Sequence, residues 1–338
     1  MIDIVTIKDI AAACGVSSAT VSKALNGYPD IGEETVSYIK KVAKEMGYYP
    51  NATARALKTN RSNNIGVLFV DGTRSGLTHE YFSSVLNSLK EEAERRGFDI
   101  TFISQNIGVF EMSYLEHCRY RKCDGVVIAC VNFEDPAVLE LVKSNIPSVT
   151  IDHVFDNRTA IISDNINSIR ALVNYIHGCG HRRIAFIHGE RTSVTQKRLA
   201  SFHKTCDELG IDVRDEYLIE GIYHDPKASA LATRKLLSLP ERPTCIMYPD
   251  DFSFIGGRNE IERHGLSIPD DISVTGYDGI YLSQILRPRL TTWKQDTGMI
   301  GREAAAKLAE AINNPKTYMV EQVTVPGELI EGGSVKKI

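Results

Sequence analysis

The chain has 338 residues, seven scattered cysteines and a formal net charge of −4. No apolar run reaches the roughly 18–20 residues of a membrane-spanning helix, and the opening MIDIVTIKDI lacks the basic and apolar stretches of a secretory signal. These features exclude a membrane span and a secreted disulfide scaffold. They predict a reduced, cytoplasmic protein of two or three domains with no metal centre. Residues 1–61 carry eight Lys/Arg against six Asp/Glu, which leaves the remainder at −6. That excess is too small for a non-specific nucleic-acid binder and suits a protein that reads a few base edges.

Ile7, Ile10, Ala11 and Cys14 share one helical face, and Gly15 supplies the left-handed exit that a sharp turn needs. Ser17 is placed to cap a second helix with Val21, Ala24 and Leu25 inward. Ser18, Ala19, Ser22, Lys23 and Asn26 are left facing outward. A third stripe of Val36, Ile39, Ala43 and Met46 runs from Glu33 to Gly47, opening on two acids that suit a helix N-terminus. The spacing fits a helix-turn-helix unit, and taken alone it fits an ordinary small helical bundle equally well.

Beyond Arg61 strands and helices alternate. IGVLFV (65–70) reads as a strand buried on both faces, and Phe82, Val85, Leu86, Leu89 and Ala93 mark an amphipathic helix that ends at Gly97. DITFIS, GVVIA and PSVTID are further strands. From Asp164 the pattern restarts: a helix over 165–177, RIAFIH, a helix near 196–209, TCIMYP, a helix over 252–264 and ISVTG. Two such series predict two stacked α/β lobes with parallel sheets and a cleft between them. Ligands bind at the carboxyl ends of such strands. Those ends are Asp71, Asp152, His188-Gly189, Asp250-Asp251 and Tyr277-Asp278.

TIKDIAAACGVSSATVSKALN (6–26), the Glu-Glu-Thr at 33–35 and GYYPNATARALK (47–58) together resemble the LacI/GalR family of bacterial transcription regulators, in order and in spacing. The resemblance extends over essentially the whole chain. It implies a helix-turn-helix headpiece over 1–48, a hinge helix and linker over 49–62, and a body over 63–338 like a periplasmic sugar-binding protein. The implied N-lobe spans about 63–163 and 294–323, and the C-lobe about 164–293 and 324–338.

By this resemblance Ser18, Ala19 and Lys23 read bases, while Thr6, Ser17, Thr20, Ser22, Asn26 and Tyr49 bond phosphates. Lys23 stands where relatives often carry arginine, so a bidentate grip on guanine becomes a single-point contact. Asn51 caps a hinge helix ending at Lys58, too short to be stable alone, and Leu57 wedges into the minor groove. In the body, Arg198 in QKRLASF and Asp278 in SVTGYD match effector-binding positions. Asp152, Tyr223 and Asp250 stand near them, Asp250 replacing an asparagine of the family and adding a carboxylate to the cleft. An internal ion pair with Asp152 or Asp278 is the alternative role for Arg198.

Several acids, one arginine and the aromatics Tyr81, Tyr223, Tyr248 and Trp293 suit a neutral polyol ring, so a sugar is the expected effector. A phosphorylated or purine ligand would want more cations or backbone amides. The expected protein is a sequence-specific repressor, a homodimer on pseudo-palindromic double-stranded operator DNA. The terminal ELIEGGSVKKI holds no heptad for a tetramer. A transported solute-binding protein would have no use for residues 1–61. An enzyme is not expected either, since GxSxG, Walker A, HExxH and a complete GxGxxG are all missing; nor is a cofactor.

Overall fold

The computed structural model describes residues 5–49, 61–70, 76–78 and 80–338. Asn51, Leu57 and Asp71 lie outside the described residues. The chain divides between Ser62 and Asn63 into two compact units.

The first unit holds α1 (Ile7–Cys14), α2 (Ser18–Leu25) and α3 (Glu33–Glu45). Gly15, at φ +67°, takes the left-handed conformation that ends α1. Ser17 then starts α2 by accepting the Thr20 backbone N–H at 3.0 Å. Ile10, Val21, Ala24 and Ile39 are fully buried and, with Ala11 and Ala43, form one small core.

The second unit opens with β1 (Asn64–Phe69), α4 (Glu80–Arg95), β2 (Asp99–Ile103) and a hairpin of β3 (Asn106–Ile107) and β4 (Phe110–Glu111). It continues through α5 (Tyr114–Tyr120), β5 (Gly125–Ala129), α6 (Pro136–Lys143), β6 (Ser148–Ile151) and β7 (Thr159–Ser163). The C-lobe follows with α7 (Asn165–Gly178), β8 (Ile184–His188), α8 (Ser193–Glu208), β9 (Leu218–Glu220) and α9 (Pro226–Leu237). It is completed by β10 (Cys245–Met247), α10 (Asp251–Arg263), β11 (Ser273–Asp278), α11 (Tyr281–Ile285) and β12 (Thr291–Gln295). Finally α12 (Thr297–Asn313) and β13 (Gln322–Val325) return to the N-lobe, and β14 (Gly327–Ile330) to the C-lobe.

Each lobe is a six-stranded sheet, ordered β13-β7-β6-β5-β1-β2 in one and β14-β12-β11-β10-β8-β9 in the other. All pairings in both sheets are parallel except β14, which runs antiparallel to β12 at the C-lobe edge. Val67 of β1 lies opposite Val127 on one side and Phe102 on the other. Helices α4 and α12 cover one face of the N-lobe sheet, burying Val85, Leu89, Ala304 and Leu308. Burial of one such side chain contributes roughly 1.5–3 kcal/mol. Their close crossing depends on Gly301, where an added Cβ would stand 2.1 Å from Ser88 Oγ and 2.2 Å from the Val85 carbonyl. In the C-lobe, Phe186 and Phe202 pack under α7 and α8, while Ile187, Leu236 and Ile261 pack under α9 and α10.

The chain crosses between lobes after Ser163, after Gln295 and after Val325. The last two crossings fall two residues beyond the limits drawn from the sequence. Trp293–Gln295 still pair with β14, and Thr324–Val325 still pair with β7. No helix among the described residues is long and apolar enough to cross a membrane.

Candidate functional site

Among the described residues, the outward side chains on and beside α2 bond within a few residues along the chain. Ser17 Oγ also meets Thr20 Oγ1 at 2.9 Å, and Asn26 Nδ2 donates back to the Ser22 carbonyl at 2.6 Å. Thr6 donates its N–H and its hydroxyl to Asp9 Oδ2 at 2.8 and 2.7 Å, closing the start of α1. Ala19 and Tyr49 are exposed and Ser18 is half-exposed. Lys23 is ion-paired with Asp30 in the loop that follows α2. The sequence reading did not foresee this partner.

The body gathers Tyr81, Asp152, Arg198, Tyr223 and Asp278 about the crossings between lobes. Arg198, on α8, is only 5 % exposed. Its Nε donates to Asn165 Oδ1 at 2.8 Å and its Nη1 to the Pro249 carbonyl at 3.1 Å. The guanidinium lies 3.5 Å from the centre of the Tyr277 ring and 5.6 Å from that of Tyr223. Cation–π attraction of this kind is worth about 2 kcal/mol where water is excluded. Among the described residues none of these partners is a carboxylate, so the internal ion pair considered for Arg198 is not formed. Tyr223 is held by its hydroxyl on Thr195 Oγ1 at 2.9 Å and by its N–H, which donates to Glu190 at 3.0 Å. Its ring covers Gly189 so closely that a Cβ there would lie 2.0 Å from the ring.

Asp278 ends β11 at φ +101° and accepts Gln295 Nε2 at 2.7 Å. Burial pushes its carboxyl up to about 7, with Asp250 adding repulsion and His224 and Arg198 opposing it. Asp152 follows β6 at φ +62° and accepts the Ser163 N–H at 3.2 Å and the Tyr81 hydroxyl at 3.4 Å. Burial raises its pKa as well, while Ser163, Arg198 and Tyr81 pull it down. Gln295 joins the two acids, since Ser163 Oγ donates to its Oε1 and the Tyr81 hydroxyl stands 3.5 Å from the same oxygen. The Ser193 hydroxyl donates to the Asp152 carbonyl at 3.3 Å, a direct bond between the lobes. The arrangement offers a buried cation, aromatic faces and two acids whose pKa values burial raises. It has donors and acceptors for a polar ligand.

Three expectations require correction. Asp250 is 1 % exposed and is not an open cleft carboxylate. It caps α10 by accepting the Ser253 N–H and hydroxyl at 2.7 Å each, and it takes the His224 N–H at 2.9 Å. These bonds and His224 outweigh burial and hold its carboxyl below the usual range. Tyr248 and Trp293 are drawn into the C-lobe core, Tyr248 with its hydroxyl 2.8 Å from Thr233 Oγ1. Sequence reasoning missed Asn165, Thr195, His224 and Gln295 as site residues, and used Tyr277 only as a strand end. The position of Tyr277 beside Asp278 was the one available signal.

Residues 6–51 match the family described as bacterial regulatory proteins, lacI family, and residues 173–335 match the periplasmic binding protein-like domain. Over 338 residues the chain is 31% identical to a probable HTH-type transcriptional repressor ExuR of Bacillus subtilis, covering 99% of each. It is 30% identical to the HTH-type transcriptional repressor PurR of Mannheimia succiniciproducens, covering 98% of this chain and 99% of that one. Among solved structures it is similar to the lac repressor dimer bound to operator and the anti-inducer ONPF (TM-score 0.81, 25% identity, 99% and 100% covered). A complex of the transcriptional regulator CelR with cellobiose shares the fold (TM-score 0.72, 22% identity, 98% and 99% covered).

Proposed function

The chain belongs to the lacI family of bacterial regulatory proteins, and on that premise we propose that it is a cytoplasmic repressor gripping a pseudo-palindromic operator as a homodimer. A small polar effector, a sugar, enters between the lobes and loosens the grip. Ser18, Ala19 and Lys23 read bases, and Thr6, Ser17, Thr20, Ser22, Asn26 and Tyr49 hold phosphates. The proposed DNA role extends to Asn51 and Leu57, and the proposed effector role to Asp71. Its relatives are named as repressors, and the chain is a binder rather than a catalyst.

One observation carries the effector half: Arg198 is buried between two tyrosine rings, beside two acids whose pKa values burial raises. Such a set matches a ring whose hydroxyls pair with the acids and arginine and whose C–H face lies on Tyr223. The CelR complex with cellobiose supports a carbohydrate. A sugar acid is the second reading, favoured by the lack of a carboxylate partner for Arg198 among the described residues. Homodimerisation is supported by exposed apolar side chains along one stretch of the N-lobe, Phe102, Val109, Phe110 and Tyr120.

A thermal-shift panel of neutral sugars, sugar acids and purine bases tests the effector. A ligand at about 100 times its Kd stabilises by about 2.7 kcal/mol, a shift of roughly 5–10 °C. The same ligand must then lower operator binding in a gel shift, by the roughly 5–150-fold of ordinary allosteric coupling. A shift with purines and none with either sugar class would overturn the carbohydrate reading. Failure of the reduced protein to select any DNA sequence would overturn the repressor.

A further inference from the structure

Helix α5 ends in a full Schellman motif. The Cys123 N–H donates to the Cys118 carbonyl at 2.8 Å, and the Lys122 N–H to the Arg119 carbonyl at 3.0 Å. Lys122, at φ +50°, is the left-handed residue between them. This motif brings the side chains of its first and last residues together. Here both are cysteines: Cys118 is fully buried, Cys123 is half-buried, and both pack in one apolar cluster. We propose that Cys118 and Cys123 form a peroxide-oxidisable dithiol that closes reversibly to a disulfide and reports redox state to the root of the linker.

The roles of the two sulfurs are unequal. Cys123 is the more exposed of the two and so meets peroxide first, and the neighbouring Cys118 thiol and Arg121 favour its thiolate against burial and Asp124. The neighbouring Cys123 and burial push Cys118 up. Cys206 is pushed up to about 12 by burial alone and is a poor competitor. In the reaction, the Cys123 thiolate attacks one oxygen of hydrogen peroxide and the O–O bond breaks. Hydroxide leaves and is protonated to water, and Cys123 becomes a sulfenic acid. The Cys118 sulfur then attacks Cys123 Sγ, the S–O bond breaks, and the hydroxyl leaves with the Cys118 proton as a second water. Two thiols have lost two electrons and two protons, and one peroxide has become two waters.

The link to the linker is a set of bonds at the first residues of β1. Asn64 Nδ2 donates to Cys123 Sγ at 3.6 Å and to the Arg121 carbonyl at 3.3 Å. The Asn63 N–H donates to Asp124 Oδ2 at 2.8 Å. Turning Cys123 Sγ toward Cys118 withdraws one acceptor from the place where the chain enters the body.

Treating full-length protein with hydrogen peroxide, alkylating and digesting with trypsin tests the pair directly. Trypsin cuts after Arg119, Arg121 and Lys122, so the two cysteines part unless a disulfide joins them. The expected result is one joined species that dithiothreitol separates, absent in Cys123→Ser. In Cys118→Ala a sulfenic acid should persist on Cys123 and be trapped by dimedone. Separate, fully alkylated Cys118 and Cys123 peptides after oxidation would overturn the proposal. The second readout is affinity for a DNA fragment selected by the reduced protein, expected to fall about fivefold or more on oxidation and to recover on reduction. A disulfide with unchanged affinity overturns the coupling to the linker. The peptide readout does not rest on the repressor reading, whereas the DNA readout does, so the two failures are distinguishable.

Discussion

The candidate DNA-contacting face and the cleft of the body handle polar side chains in opposite ways. On the headpiece, Ser17, Lys23 and Asn26 stay at the surface, and their bonds reach three, seven and four residues along the chain. In the cleft the bonds span far more: 33 residues from Arg198 to Asn165, 71 from Tyr81 to Asp152 and 214 from Tyr81 to Gln295. Surface groups keep their water and give it up only when a partner arrives. The cleft groups are desolvated in advance, so each bond there is stronger and each loss is felt by its neighbours. Substitutions in the cleft should therefore have large, coupled effects, and those on the outward face of α2 small, nearly independent ones.

The sharpest test of that contrast is Arg198→Ala. It removes a buried cation from Asn165, the Pro249 carbonyl and two rings at once. The ligand selected by the thermal-shift panel should bind about a hundredfold more weakly, about 3 kcal/mol by calorimetry. A loss of less than about threefold would remove Arg198 from the effector site. Gly189→Ala should act more mildly by pushing the Tyr223 ring away from the new Cβ. Ligand affinity is expected to drop roughly tenfold, with ligand-free DNA binding unchanged. If DNA binding falls as well, Tyr223 is serving the fold rather than the ligand.

Asp278 gives the cleft a pH signature. Its folded pKa of about 7 lies above the ordinary 3.8, so the folded state holds the proton more tightly than the unfolded chain. The stabilisation is fully present below about pH 4 and is lost as pH rises through about 7. Urea unfolding of wild type and Asp278→Asn across this window should show their difference changing by up to about 1.4 kcal/mol per pH unit. A flat difference would mean that Asp278 is ionised throughout.

The same contrast explains what the sequence disclosed. Gly15, Ser17 and the stripe of Ile10, Val21 and Ile39 are determined within a turn or two of helix, so local pattern suffices. Strand–helix alternation gave the two α/β lobes, but β3, β4, β7, β9, β12, β13 and β14 were not distinguished. β13 is a strand only because residues about 160 positions earlier pair with it. Asp152 and Asp278 were found through topology, as strand ends. Their partner Gln295 carries no local mark, being selected by the chain crossing between lobes. Tyr248 and Trp293 were misjudged because an aromatic near a strand end has the same pattern in a core as in a cleft. Asp250 is different: an aspartate directly before a helix, three residues ahead of Ser253, was a legible cap signal.

The smallest effect belongs to the headpiece. Lys23 and Asp30 are both about half exposed, and their pairing lowers the Asp30 pKa. If Lys23 reads a base as proposed, it must first leave Asp30, whose carboxylate would then face phosphates of its own sign. Asp30→Asn removes both obstacles. Because an exposed pair is well screened, DNA affinity should rise only roughly two- to fivefold at low salt, and the gain should fade as salt rises. Gel shifts at two salt concentrations would read this, alongside selection of binding sites by each protein. Weaker binding by Asp30→Asn, with relaxed choice at one base pair, would reverse the assignment. Asp30 would then be aiming Lys23 at its base, and even this exposed face would contain one prearranged contact of the kind that fills the cleft.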